Sequence, residues 1–594
     1  MGFMKSFVDG FKPAEPGHGY DPSQPAIASK DGSPGVVEKA EHESGGSADY
    51  GNREYANVQG VHLTADGGAI LTSDESGLKR NLTGRHMQMI AFGGSIGTGL
   101  FIGSGGALAN GGPGFLLIDF MLIGAMLFTV VMDLGELATS YPVSGSFSAY
   151  STRFIDPAWG FAMGWNYWMQ WFIVLPLELV AASIVLQYWD PTYSSVPIGV
   201  YILIFMVAII IINLFGVRGY GEFESAASMI KIIAVVGFII LGIIIDVGGQ
   251  PGGEYLGART WHDPGAFANG FQGFVSIFVT AAFAFAGTEL VGLAAAETGN
   301  PRKEVPKACK QIFWRILIFY IVTLFLIGLI VPYTEPRLKS GASSYDARAS
   351  PFVIAIENAG ISTLPSIFNA VILISVLSVG NSAVFGASRT LCGLAQSGQA
   401  PKIFAYIDRE GRPLPAVALS LIMGALAFLV YSGEDANNTV FNWLLALSGL
   451  SSIFSWGSIN LAKIRFRRAW AKSGRDAKDL PWTSPVGVAG SYFGFGFNIL
   501  VLIFQFIKAA WPIGYPSGDV GTRVSDFFQS YLAFPVVILC FLIYKVVKRT
   551  RYIRIDEIDL TTGRRDPMSR QELDREREEL AARPLWKRVL SALC

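Results

Sequence analysis

Charge is what this sequence has least of. Only 15% of its 594 residues are Asp, Glu, Lys or Arg, against 51% hydrophobic, where a soluble chain carries about a quarter charged residues. The deficit implies long stretches that sit in hydrocarbon. The zero formal net charge gives no basis for a nucleic-acid or other charged partner. Cysteine and histidine are scarce too. Cys309, Cys392, Cys540 and Cys594 show neither metal-ligand spacing nor a disulfide framework. His18, His42, His62 and His86 precede or open the first apolar segment, which argues against a zinc site or a histidine-based triad. No metal or cofactor is therefore expected, and no nucleophile–base set suggests an enzyme. The glycine-rich runs lack a following Gly-Lys-Ser/Thr, so they are not phosphate loops. Residues 1–85 lack a short apolar core with a cleavage site, so no cleaved signal peptide is expected.

What is present is a series of apolar segments. A spanning helix needs about 20 mostly apolar residues. Twelve candidates lie near 87–108, 114–138, 158–187, 195–215, 225–247, 270–293, 312–333, 364–393, 415–431, 440–461, 490–510 and 527–547. The fold expected is an all-α polytopic membrane protein with twelve transmembrane helices. Basic residues set its orientation. Arg80 and Arg85 precede the first segment. Arg302, Lys303, Lys307 and Lys310 follow the sixth, and Lys402, Arg409 and Arg412 the eighth. Lys463, Arg465, Arg467 and Arg468 follow the tenth, and Lys545, Lys548, Arg549 and Arg551 open the C-terminal tail. The alternate loops are poorer in Lys and Arg, so even-numbered loops and both termini are expected in the cytoplasm. Residues 1–85 then form a disordered cytoplasmic tail, too poor in apolar residues to offset ordering entropy. Residues 86–548 form the membrane domain, and 549–594 a cytoplasmic C-terminal tail. Within the membrane domain, helices one to five cover about 86–247, six to ten about 270–461, and the last two about 490–548.

Two motifs carry chemistry. In the first segment, Gly93-Gly94-Ser95-Ile96-Gly97-Thr98-Gly99 places four glycines within seven residues, and each costs about 1 kcal/mol in a helix interior. The backbone is expected to unwind there, which the bilayer tolerates only where the chain lines a polar cavity. Free N–H groups at such a break suit a carboxylate. The alternative is close helix packing through small residues, which fits Gly103, Gly105, Gly106, Gly111 and Gly112 better. In the sixth segment, Gly287-Thr288-Glu289-Leu290 shares a Gly-Thr-x-Leu core with Gly97-Thr98-Gly99-Leu100. Matching motifs at one depth of helices one and six are what two five-helix repeats of inverted topology produce.

An ionisable residue inside a span is a functional candidate by default. Asp133 and Glu136 lie where water is near, at the end of the second segment, and are taken as structural. Glu178 lies well inside the third segment and Glu289 in the sixth. Lys231, in the fifth, either serves function or snorkels its long stem to the cytoplasmic face. Hydrocarbon disfavours the charged forms of carboxyl and amine alike, so either can exchange a proton near physiological pH. Glu178, Lys231 and Glu289 are accordingly the candidate proton-coupling groups. The alternative is that Glu178 only positions the third helix and Lys231 is a fixed charge.

These segments resemble the fungal amino-acid permeases of the amino acid–polyamine–organocation superfamily. The similar stretches include MIAFGGSIGTGLFIGSG, GELATSYPVSGSFSAYSTRFIDPAWGFAMGWNYWMQW, LPLELVAASIVLQYW, FAFAGTELVGLAAAETGNPRKEVPKA, GASRTLCGLAQSGQAPK and NWLLALSGLSSIFSWGSINLAKIRFRRA. The resemblance implies a five-plus-five inverted repeat with broken helices one and six and two extra C-terminal helices. It implies import of amino acids with protons across the plasma membrane. The family's helix-one motif falls on Ser95, Ile96, Gly97, Thr98 and Gly99, its helix-three acid on Glu178, its helix-five lysine on Lys231, and its aromatic gate on Phe285. Phe283, Phe285, Ala286, Gly287 and Thr288 are expected to offer the broken sixth helix to the substrate's ammonium group. Ser448 in the tenth segment sits in a stretch similar to general permeases rather than strict basic-amino-acid carriers. The expected partners are an amino acid, protons and membrane lipids, with the cytoplasmic tails a place for ubiquitin-ligase adaptors to act. The terminal Cys594 follows an amphipathic stretch and is similar to family endings, which implies S-acylation. Two alternatives stay open: an amino-acid-sensing receptor with little transport, or a permease for one amino-acid class. An ion channel fits less well, because the charges are isolated and form no rings.

Overall fold

The computed structural model describes residues 82–561 apart from 144, 191–195, 251–252, 299, 340–349, 433–435 and 515–519. It also describes 61–63, 69–71 and a few isolated positions beyond 561. Cys594 lies outside the described residues, as does most of the tail before it. Nearly all of the described chain is helical. A small exception falls inside the stretch expected to be disordered: β1 (Val61–Leu63) and β2 (Ala69–Leu71) pair antiparallel, with His62 opposite Ile70.

Helix α1 (Gly84–Gly93) is capped by the Thr83 hydroxyl, which accepts from the His86 N–H. It stops at Gly94. The chain resumes helical form in a π-helical turn (Gly99–Gly103) that runs into α2 (Ser104–Ser140). Helix α2 bends at Gly112, whose φ of +76° strongly favours a residue without a Cβ, and Pro113 follows. The first two apolar segments therefore meet inside one kinked helix. A short buried helix, α3 (Ser146–Phe154), precedes α4 (Pro157–Leu186), which opens with an Asp156 cap and Pro157 at its first position. Then come α5 (Ile198–Leu214), α6 (Gly216–Asp246), α7 (Gly270–Phe285) and, past a second break, α8 (Leu290–Ala294). Helix α9 (Pro301–Arg315) passes through a π-helical stretch, Ile316–Val322, into α10 (Thr323–Ile330). The rest comprises α11 (Leu364–Gln396), α12 (Leu414–Met423), α13 (Ala436–Lys472), α14 (Gly487–Ala510), α15 (Val520–Tyr531) and α16 (Ala533–Lys548).

Seven of these runs are long and apolar enough to cross a bilayer, or eight if the bent α15–α16 pair counts as one span. The outer surface is apolar where that of a water-soluble bundle is polar. On α6, Ile233 is 66% exposed while Lys231, two residues away, is 0% exposed. Helices α5, α14 and α16 likewise turn Ile204, Ile211, Phe506, Leu539 and Ile543 outward. An apolar belt of this extent, around an interior that also buries charged groups, is stable only where the surrounding solvent is lipid. The protein is a polytopic helical membrane protein. Helix α4 and the α7–α8 pair are the most enclosed elements, and the two helix breaks lie against them.

Candidate functional site

The first break is a row of free donors. Gly94 N–H still bonds Ile90 C=O at 3.0 Å, and Leu100 and Phe101 N–H both reach Gly97 C=O, at 3.1 and 3.0 Å. Between them, the N–H groups of Ser95, Ile96, Gly97 and Thr98 have no acceptor among the described residues. All four residues are buried. Four adjacent buried donors without an acceptor suit an anion. The second break lies beside the first. Ala286 adopts an extended conformation and Gly287 a φ of +96°. A Cβ on Gly287 would stand 3.2 Å from Gly94 C=O and 3.3 Å from the Trp171 ring. A Cβ on Gly99 would stand 2.3 Å from Ala284 Cα. Two glycines thus let the broken backbones touch.

Each predicted side chain can now be placed. Thr98 donates its hydroxyl to Glu178 Oε2, joining the first break to α4, and Glu178 Oε1 is buried with no partner. Glu289 braces the second break: Gly287 N–H donates to its Oε2 at 3.2 Å, Trp456 Nε1 at 3.3 Å, and Tyr167 OH to its Oε1 at 3.5 Å. Thr288 faces away from the first break, donating to Phe285 C=O at 2.6 Å and accepting from Arg315. Phe285 does not take the gate position expected for it. Its ring packs 4.2 Å from Tyr320 and 5.8 Å from Phe120, toward α2. Phe283 faces α13 instead, beside Gly449. Residues two apart on a helix point about 200° apart, so only one of the two aromatic rings can face the α4–α13 side. Ser448 on α13 is fully buried, and its hydroxyl has no partner.

Lys231 does not snorkel. Its Nζ donates to Ser378 Oγ at 2.8 Å and stands 3.6 Å from Glu224 Oε1, with both charged groups fully buried. Ser378 in turn donates to Glu224 Oε2 at 2.6 Å, and Ser382 reaches the same oxygen at 3.4 Å. Tyr220 OH lies 3.1 Å from Ser382 Oγ. Asp133 and Glu136 are fully buried rather than near water. Asp133 pairs with Lys463 at 2.7 Å and Glu136 with Arg467 at 2.6 Å, tying α2 to α13. Below the second break, Glu297 pairs with Arg389 of α11 at 2.6 Å.

Several residues here escaped the sequence reading. Glu224 shares a face of α6 with Lys231, seven residues on, a spacing that a longer fifth segment reveals. The single proton of the Tyr320 hydroxyl is shared between Ala284 C=O at 2.8 Å and Ser95 C=O at 3.1 Å, bolting the two breaks together from the π-helical stretch. Asp119 of α2 is fully buried with neither oxygen partnered. Gln170 of α4 is fully buried with both amide atoms unpartnered. Among the described residues no cluster of His, Cys, Asp and Glu has the arrangement to hold a metal ion.

Residues 86–556 match the family model described as amino acid permease. A general amino-acid permease of Candida albicans is 55% identical over 533 residues, covering 89% of this chain and 88% of that one. A general amino-acid permease of Saccharomyces cerevisiae is 51% identical over 539 residues, covering 89% and 87%. A cationic amino acid transporter of Schizosaccharomyces pombe is 49% identical over 529 residues, covering 88% and 87%.

Proposed function

The chain belongs to the amino acid permease family, and from that premise we propose that it imports amino acids across the plasma membrane by proton symport. The observation that carries this reading is the row of four free N–H groups at Ser95–Thr98, buried and set against a second broken helix. The substrate carboxylate sits on these donors, where the end of a helix favours negative charge. The ammonium group sits at the second break. There Phe283 C=O accepts from Ala286 N–H at 3.1 Å, and Ala284 C=O from the Tyr320 hydroxyl at 2.8 Å. A carbonyl has two lone pairs, so each keeps acceptor capacity. Phe283, rather than Phe285, covers the bound substrate.

In this reading twelve helices span the bilayer as a five-plus-five inverted repeat with two added helices, both termini in the cytoplasm. Glu178 senses the loaded first break through Thr98. Lys231, linked through Ser378 to Glu224, occupies the position between α1 and α6 where a cation braces the bundle. Protonation of this group holds the outward-facing contact, and its loss releases it toward the cytoplasm. The low-dielectric surroundings make each such change energetically large.

The test is uptake of a labelled amino acid in cells lacking their own permeases, with unlabelled competitors in pairs. Each pair is an amino acid and its carboxyl amide. The amino acid competes and the amide does not, because only the former brings a charge to the four donors. Equal competition by both removes the first break as the carboxylate site.

A further inference from the structure

Asp119 has no part in either break, yet it lies beneath a cavity at the end of the bundle that the proposed orientation puts outside. The cavity measures about 190 Å³, room for several waters, and Asn110, Gln272, Ser276, Lys508, Asp526 and Ser530 give it a polar lining. Asp526 is exposed, while Ser276 is buried. Three helices meet just below. The Phe274 ring of α7 packs 5.5 Å from Phe115 of α2 and 5.7 Å from Phe504 of α14. Helix α2 runs inward from Asn110, and Asp119 follows Phe115 by one turn, on the same face. Ser276 lies two residues beyond Phe274, and Gln505 adjoins Phe504. Asp119 therefore stands about one turn, roughly 5 Å, below the cavity floor. Its side chain is fully buried, and neither oxygen has a partner among the described residues. Gln505 is buried as well. Its Nε2 donates to Ser530 C=O at 2.7 Å, and its Oε1 has no partner. Few other charges approach. Helix α7 carries no titratable group, and α14 brings only Lys508, one turn outward of Gln505, and the distant Tyr492. Lys463 of α13 is paired with Asp133, about four turns further along α2. Arg315 and Tyr320 bond groups of the two breaks. Beyond the outer end of α2 stand His262, Asp263 and Arg337, the last paired with Glu335 and Glu357.

We propose that Asp119 is a proton-binding group of the symport, loaded from water in this cavity by way of Ser276 and Gln505 and apart from the substrate's path. This rests on the symport reading and its orientation. The step is a proton transfer. Hydronium in the cavity gives up its proton and becomes water, and the carboxylate becomes the carboxylic acid. The proton leaves to water on the cytoplasmic side once the bundle has rocked. The Ser276 hydroxyl and the Gln505 Oε1 can hold a bridging water between cavity and carboxyl. The closed, dry surroundings suit the neutral acid, because burying an unpaired charge costs far more than burying an unpaired hydroxyl. The charged form needs water or a cation, and the cavity supplies water and the Lys508 ammonium. The next residue carries the change to the second break. Phe120 packs 5.8 Å from Phe285 and 6.4 Å from Tyr320, whose hydroxyl joins the two breaks.

The test uses the purified protein in sodium-free liposomes with the membrane potential held at zero. A mixture of labelled leucine, glutamine and lysine is accumulated under inward proton gradients of increasing size. Each coupled proton multiplies accumulation about tenfold per pH unit of gradient. Asp119→Asn removes one proton, so its accumulation falls below wild type by about tenfold per pH unit, while exchange without a gradient falls much less. A group that only packs would lower the rate and leave this dependence on the gradient as it is. Should Asp119→Asn fail to assemble, Asp119→Ser is read the same way. Gln505→Leu leaves the carboxyl in place and slows proton influx severalfold. Influx in Gln505→Leu within about twofold of wild type overturns the route. Wild type whose accumulation ignores the proton gradient overturns the symport reading and the site with it. Wild type that follows the gradient, with the Asp119 variants following it equally, overturns the site alone.

Discussion

Adding one methyl group at Gly99 tests whether the two broken helices must touch. A Cβ there would lie 2.3 Å from Ala284 Cα and 2.8 Å from Ala284 N and Cβ. Carbon atoms in contact need about 3.5 Å, so the shortfall is about 1.2 Å. The obstacle is backbone, which no rotamer change relieves. Gly99→Ala therefore pushes the first break away from α7 by roughly 1 Å and strains the Tyr320 hydroxyl, which bonds Ser95 C=O and Ala284 C=O together. Overpacking of this kind costs about 1–3 kcal/mol of stability. A misplacement of about 1 Å costs on the order of a hundredfold in rate. Gly97→Ala is the control. Its Cβ would meet Val379 Cγ2 at 2.5 Å, but the next atom is 3.5 Å away. A rotation of one valine side chain relieves most of that, so a loss of a few fold is expected. Uptake per copy at the surface is the assay, with thermal stability of the purified variants beside it. Gly99→Ala with near-wild-type uptake, or Gly97→Ala the worse of the two, refutes the touching-breaks reasoning.

Three further outcomes follow from the same geometry. Lys231→Ala loses uphill accumulation while exchange of labelled for unlabelled substrate falls much less, measured in proteoliposomes loaded with substrate; equal loss of both makes Lys231 a structural charge. Glu178→Gln alters the pH dependence of uptake and leaves it independent of sodium, read from uptake rates across external pH. Tyr320→Phe keeps the ring contact with Phe285 but drops the hydroxyl that joins two backbone carbonyls, so KM rises about tenfold at nearly constant kcat, corresponding to about 1.4 kcal/mol of lost ground-state and transition-state binding alike.

The first break was legible because glycine leaves a compositional trace: four in seven residues cannot stay helical cheaply. Glu178 and Lys231 were legible because a charge inside an apolar run stands out. Glu224 did not, although it neighbours Lys231, because Gly-Val-Arg-Gly-Tyr-Gly-Glu-Phe-Glu reads as a loop. The fifth apolar segment begins at residue 225, just past Glu224, whereas α6 begins nine residues earlier at Gly216. Phe283 and Phe285 are indistinguishable as letters. What separates them is the direction α7 faces, which depends on where α2 and α13 pack. Gln170 is uncharged, so the apolar run around it hides it, and Ser448 stands out only through the family resemblance. Tyr320 needed the π-helical stretch to point its hydroxyl at both breaks, and no local sequence pattern announced that turn.

Net movement against a gradient, driven by protons alone, is the most direct test of transport by symport. The purified protein is reconstituted into sodium-free liposomes, an inward proton gradient is imposed, and a labelled amino acid is added outside. The label should accumulate above its external concentration, proton influx should accompany it, and a protonophore should collapse both. Accumulation that survives the protonophore, or that appears only when external sodium is supplied, would contradict proton coupling through Glu178 and Lys231.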